Sequence, residues 1–200
     1  MLRENTAVKL VLSSALIALV AACPGQTNVV NSADRLPVEQ RVLLLFKSLT
    51  YDRNIAKDRK ELRLGVVVAS GNAGSEKIGK ELIAQVEKIA HLKVRGLKIS
   101  AVLVPISSGA GAAAALQAKK ANVIYTAPGV EEALSSICAY GVSAKNLVVS
   151  GETAHAKKCA ALAIVKKGSK PKVLLNLSAA KKQGASFDEP LLRIAELVSE

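Results

Sequence analysis

Apolar residues along this chain alternate between two spacings. In LPVEQRVLLLFKSLTYDR the residues Val38, Val42, Leu45, Phe46 and Leu49 recur at helical intervals behind Pro37, which predicts an opening helix. LRLGVVVAS, residues 62–70, is a continuous apolar run, the pattern of a strand buried on both faces. SEKIGKELIAQVEKIAHL returns to helical spacing through Ile78, Leu82, Ile83, Val86 and Ile89, with Ser75 as its expected N-cap. LKISAVLVPI reads as a second buried strand, GAGAAAALQAKK as a short helix and ANVIYTAP as a third strand. GVEEALSSICAYG reads as a helix stopped at Gly141, and NLVVSG as a fourth strand. Repeated strand, helix, strand order predicts an α/β fold of three layers, a mostly parallel sheet with helices on both faces.

The last fifty residues change pattern. CAALAIVKKGSKPKVLLNL is two apolar runs around Lys-Lys-Gly-Ser-Lys-Pro, which predicts an antiparallel hairpin on the sheet edge. SAAKKQGASF is expected to be a helical turn broken at Gly184. DEPLLRIAELVSE is expected to be a closing helix capped by Asp188, with Pro190 in its first turn.

The first segment stands apart from this alternation. Arg3 and Lys9 precede an apolar run from Leu10 to Ala22, the layout of a secretory signal and too short for a membrane span. The expected organisation is therefore a signal peptide at 1–22, a flexible tether at 23–35 and a single domain at 36–200. Val20-Ala21-Ala22-Cys23 resembles a lipobox, which would acylate Cys23 and anchor the protein in a membrane; ordinary cleavage after Ala22 fits the same residues. Export is expected to place the protein in the periplasm. There Cys138 and Cys159 could form a disulfide around a loop of about twenty residues, contributing roughly 3 kcal/mol.

Composition narrows the partners. Half of the 200 residues are apolar, enough for one core, and the formal charge is +12. Removing residues 1–22 takes away Arg3 and Lys9 against Glu4 and leaves +11. The lysines are spread through every segment, and the only aromatics are Phe46, Phe187, Tyr51, Tyr125 and Tyr140. Nucleic-acid binding is not expected; a solvated surface facing anionic envelope polymers is.

Candidate chemistry gathers at the predicted strand ends. Gly109, Gly111 and Ala114 satisfy a dinucleotide fingerprint, but the next strand ends in Tyr125-Thr126-Ala127-Pro128 and supplies no acid for a ribose, so no cofactor is expected. Ser70, Ser107, Ser108, Thr126, Ser150, Gly151 and Glu152 form a small, hydroxyl-rich rim open to a small polar or anionic ligand. His91 and His155 are isolated and expected on the surface, without an adjacent acid, and no Cys/His spacing suits zinc. No nucleophile, base and orienting acid assemble, so neither a metal site nor catalysis is expected.

KPKVLLNLSAAKKQGASFDEPLLRIAELV resembles the C-terminal signature of the YfiR-like periplasmic proteins, through Asn176-Leu177 at a strand end and the paired Leu191-Leu192 of the last helix. VIYTAPG, NLVVSGE and AALAIVKKG agree in order, and the resemblance spans roughly residues 36–198. LTYDRNIAK replaces the aromatic and Trp-Pro residues common after the first helix, and Cys159 stands where the family often has Gly. The resemblance implies a non-catalytic regulator with a membrane-protein partner, the best-known type restraining a diguanylate cyclase. The alternative is a small solute-binding component of a transporter.

Overall fold

The computed structural model describes residues 35–199; the 1–22 leader, Cys23 and all but the end of the 23–35 tether lie outside the described residues. An opening helix α1 (Val38–Leu49) leads to β1 (Glu61–Ala69), α2 (Ala73–Lys88), a short β2 (Lys93–Val94) and β3 (Leu97–Ile106). A single turn at Gly109–Gly111 starts α3 (Ala112–Ala118), followed by β4 (Val123–Thr126), α4 (Leu134–Ala144), β5 (Leu147–Ser150) and α5 (Thr153–Lys158). The chain closes with β6 (Leu162–Lys167), β7 (Lys170–Leu175), α6 (Leu177–Lys182), α7 (Glu189–Ile194) and β8 (Glu196–Leu197).

All strands join one sheet in the order β2-β3-β1-β4-β5-β6-β7-β8. The centre, β3-β1-β4-β5-β6, is parallel; β2–β3 and the hairpin β6–β7 are antiparallel. The two faces are visible in β1. Leu62, Leu64, Val66 and Val68 meet Val42, Leu45 and Leu49 of α1, Leu82 and Val86 of α2, and Leu191 of α7. Val67, on the opposite face, meets Leu116 of α3 and Leu134 and Ile137 of α4. Ala156 of α5 extends that second layer over Ala163, Val165 and Leu174 of the hairpin. This is the three-layer, mostly parallel α/β architecture that the alternating pattern implied. Among the described residues no helix is long and apolar enough to cross a membrane.

Several local expectations are corrected. Gly141 does not stop α4; the helix runs on to Ala144 and ends at Lys145, whose φ is 52°. Gly141 lies inside α4 because a Cβ there would come within 2.6 Å of Val148 Cγ2 and 2.9 Å of the Asn146 carbonyl oxygen. Asn72 rather than Ser75 caps α2: its side chain accepts from the Ser75 amide, while Ser75 Oγ accepts from the Ala69 amide at 3.0 Å. The closing helix stops at Ile194, and Glu196–Leu197 adds a parallel strand beside β7, so the hairpin is not the outermost element. Asp188 precedes α7 without a side-chain cap; its carboxylate binds Arg53.

Cys138 of α4 and Cys159 after α5 are joined by a disulfide with a Cα–Cα separation of 6.1 Å, closing a ring of sequence separation 21 around β5. Reduction is expected to remove about 3 kcal/mol of stability, read as a lower urea midpoint with and without reductant. Gly65 marks a second tight point. A Cβ there would sit 2.5 Å from Ala121 Cβ and 3.1 Å from Leu116 Cδ2, and Ala121 Cβ can retreat only if backbone moves. Gly65→Ala is expected to cost about 1–3 kcal/mol in urea unfolding, despite the better strand propensity of the larger residue.

Candidate functional site

Five parallel strands direct their carboxyl ends to one side, where doubly wound sheets hold ligands at the point of reversal. Here that point lies between β1 and β4, since α2 leaves β1 on one face and α4 leaves β4 on the other. The crevice is filled by the chain's own groups. Glu76 Oε1 accepts from the Gly71 amide at 3.1 Å, and Asn72 Oδ1 from the Ser75 amide at 3.0 Å. A Cβ on Gly129 would come within 2.9 Å of Asn72 Nδ2, so the Asn72 amide packs directly on that backbone. The Gly129 amide in turn donates to Glu131 Oε1 at 3.0 Å. The Gly71, Ser75 and Gly129 amides are thereby engaged within the chain. The Gly109 turn has a packing role instead: a Cβ there would meet Ser136 Oγ at 2.9 Å.

The rim residues divide into separate groups. Ser70, Ser107 and Ser108 are exposed on the β1–β3 side, where the Ser70 amide donates to the Ile106 carbonyl at 2.8 Å. Thr126, Ser150, Gly151 and Glu152 converge at the ends of β4 and β5, but they serve two polar clusters on opposite faces.

On the α1 face the centre is Arg41, 2% exposed. It falls on the apolar side of α1, three residues after Val38 and four before Leu45, which is the signal by which the sequence marks it. Its Nη1 donates to the Tyr125 hydroxyl at 3.1 Å and its Nη2 to the Leu36 carbonyl at 2.9 Å. Gly151 makes this possible, because a Cβ there would stand 2.6 Å from the Tyr125 hydroxyl and 2.9 Å from Arg41 Nη1. Glu152 lies beside them with Arg35 Nε 3.4 Å from its Oε1. Burial raises the Glu152 carboxyl above its ordinary value, opposed by the charges of Arg35 and Arg41. Burial also raises the Tyr125 hydroxyl, against the charge and hydrogen bond of Arg41.

On the opposite face the centre is His155, and the expectation that it lies on the surface is overturned: it is 1% exposed. Its Nδ1 lies 2.8 Å from Ser150 Oγ and 2.9 Å from Thr126 Oγ1. Its Nε2 points toward Glu131 Oε1 at 3.6 Å, too long for a hydrogen bond but close enough for attraction. An acid does therefore stand next to this histidine, brought from the β4–α4 loop across 24 residues of chain that linear proximity could not reveal. Serine, histidine and glutamate line up, yet Ser150 and Thr126 are wholly buried and their hydroxyls also donate to the Thr126 and Val149 carbonyl oxygens. The cluster clamps α5 onto the ends of β4 and β5, closed to substrate.

The C-terminal signature residues also divide. Asn176 is fully buried, caps α6 by accepting from the Ala179 amide at 2.9 Å, and donates to the Ala156 carbonyl at 3.0 Å. Leu191 is in the core and Leu192 packs against it, whereas Leu177 is 43% exposed. Among the described residues no group of three or more His, Cys, Asp or Glu could hold a metal ion.

Comparison with known proteins places this architecture. A family model described as YfiR/HmsC-like matches residues 44–196. The chain belongs to the YfiR/HmsC-like family. The match takes in β1 to β7, the first residue of β8 and both polar clusters except Arg35, Leu36 and Arg41. No curated protein matches significantly. Among solved structures the fold is similar to an ABC domain in complex with L-Trp from Streptococcus pneumonia, at TM-score 0.59 and 18% identity over 81% of this chain and 62% of that one. A conserved domain protein from Vibrio cholerae O1 biovar eltor matches at 0.58 and 21% identity, over 82% of this chain and 60% of that one. A substrate binding protein with adhesive properties from Clostridium difficile, in its ligand-free open form, matches at 0.58 and 13% identity with the same coverage, 82% and 60%. These likenesses establish the fold, and this YfiR/HmsC-like chain spans about 60% of those chains' length.

The His155 cluster has a pH signature. Burial holds the imidazole below its ordinary value of 6.5, opposed by Glu131. The unfolded chain therefore binds a proton that the folded chain resists, and this contribution to stability is present above 6.5 and lost as the pH falls. Between about pH 7.5 and 5.5, the stability advantage of the wild type over His155→Gln is expected to shrink, by at most about 1.4 kcal/mol per pH unit. Parallel urea midpoints at each pH measure it; a constant difference would show that folding leaves the proton affinity of His155 unchanged.

Proposed function

We propose that this protein is an exported, non-catalytic regulatory or sensory binding protein that restrains a membrane-bound signalling protein, such as a diguanylate cyclase. The observation that carries the reading is membership in the YfiR/HmsC-like family across residues 44–196. The site agrees with it: the hydroxyls beside His155 are buried and engaged, and the Gly71, Ser75 and Gly129 amides at the sheet reversal are bound internally, as suits a surface that is recognised whole. A periplasmic location, a lipid anchor at Cys23 and a membrane-protein partner belong to the same proposal.

A second reading, a small solute-binding component of a transporter, draws support from the likeness to a substrate binding protein and to a domain holding L-Trp. This chain spans about 60% of those proteins, and the family match over residues 44–196 favours the regulator.

Deleting the gene is expected to raise cyclic-dinucleotide levels and surface attachment severalfold, with wild-type protein restoring both. Unchanged levels together with lost uptake of a solute would move the assignment to the second reading. Glu152→Gln keeps the side chain's shape and removes its charge from Arg35 and Arg41. It is expected to fold with a loss of about 1–3 kcal/mol and to complement the deletion poorly. Full complementation would confine Glu152 to a structural role.

A further inference from the structure

The hairpin β6–β7 projects beyond its neighbour β5. β6 pairs with β5 only through Leu162 and Ala163, opposite Val149 and Ser150, so Ile164–Lys167 continue past the end of β5. At about 3.3 Å per residue this overhang is about 13 Å. It lies at the end of the molecule where the chain enters: Arg35, the first described residue, is fixed there by its ion pair with Glu152, directly after β5.

One face of this projection is strongly basic. The register pairs Val165 with Lys172 and Lys167 with Lys170, setting Lys167, Lys170 and Lys172 on the face shared by Ala163 and Leu174. That is the face α5 covers, and α5 carries exposed Lys157 and Lys158 at its end. The carboxylate among them is Glu196 of β8, which binds Lys167 at 2.8 and 2.9 Å. Lys167, then Lys172 and Lys157 at longer range, hold the Glu196 carboxyl below its ordinary value. Three lysines of the hairpin and two of α5 thus share one face, with Glu196 among the former and Glu131 beside His155 of α5.

We propose that this face, formed by the β6–β7 tip and the end of α5, docks on the anionic headgroups of a phospholipid bilayer. Flexible ammonium groups around a buried Val165 suit a diffuse negative surface better than a shaped pocket or an inserted wedge. The direction of the chain selects a bilayer over a soluble polyanion. The chain before Arg35 joins the domain at this same end, so acylation at Cys23 would turn the basic face toward the membrane. The inference rests on the exported, membrane-associated reading above. It adds an orientation: the carboxyl ends of the strands face the bilayer.

The test uses the mature chain with Cys23→Ser in every arm, so that no acyl group contributes. It measures sedimentation with vesicles of phosphatidylethanolamine and phosphatidylglycerol, and with neutral phosphatidylcholine vesicles. Binding is expected only to the anionic vesicles and is expected to fall steeply as salt rises from about 0.05 to 0.5 M. Lys157→Gln, Lys158→Gln and Lys170→Gln together should weaken it about 100-fold, at about 5-fold per charge, with an unchanged urea midpoint. Lys77→Gln and Lys80→Gln on α2, equally exposed, are the control and should change it little. Equal losses in both sets, equal binding to neutral vesicles, or retention by dextran sulfate without vesicle binding would each overturn the proposal. A negative vesicle result beside an intact deletion phenotype would remove the orientation and leave the regulator reading standing.

Discussion

A strand that is apolar on both sides must be covered on both faces, and β1 imposes that demand on the whole molecule. Its even-numbered residues require α1 and α2; its odd-numbered residues require α3 and α4. A parallel sheet meets the demand because each crossover helix returns over one face or the other. Gly65 shows how tightly the second face closes: the backbone of β1 and Ala121, ahead of β4, approach until no methyl group fits between them. The carboxyl ends of the strands are consequently the place where loops from both layers converge, and the polar clusters form there.

Those clusters follow from the cost of burial. Arg41 and His155 each carry polar nitrogens into the interior, where unmatched groups are expensive. Each is met by hydroxyls at the ends of β4 and β5: Tyr125 on one face, Thr126 and Ser150 on the other. Adjacent residues Tyr125 and Thr126 reach opposite faces because side chains alternate along a strand. A four-residue strand therefore joins α1 and α5 through the sheet. The exposed serines after β1 and β3 take no part, which is why a rim that looks continuous in sequence is two separate structures in space.

Fold was legible where periodicity was strong. The apolar run at β1, the stripe of α2 and the Lys-Pro hairpin each state their element in a few residues, and the antiparallel β6–β7 pair forms around that turn. Element ends were less legible, because they were set by packing at a distance. Gly141 carries the usual mark of a helix stop, but it serves close contact with Val148 and Asn146. Glu196–Leu197 has helical company in sequence, yet its backbone finds β7. The site was least legible. Arg41 betrayed itself only as a charge on an apolar stripe, and His155 gave no sign at all, since Glu131 and Thr126 reach it through tertiary contacts.

The disulfide ring has a mechanical meaning. Tension drawn through the segment before Arg35 enters at the Arg35–Glu152 pair, and the load passes to α1 and to the end of β5. Cys138 and Cys159 bracket β5 on both sides in the chain, so the ring from α4 to the end of α5 cannot be drawn out to its full contour. Pulled from that end, the unfolding chain gains less length than its contour, short by the residues the bond encloses. A force-extension trace would thus carry a missing length set by the covalent ring, and restored when the bond is cut.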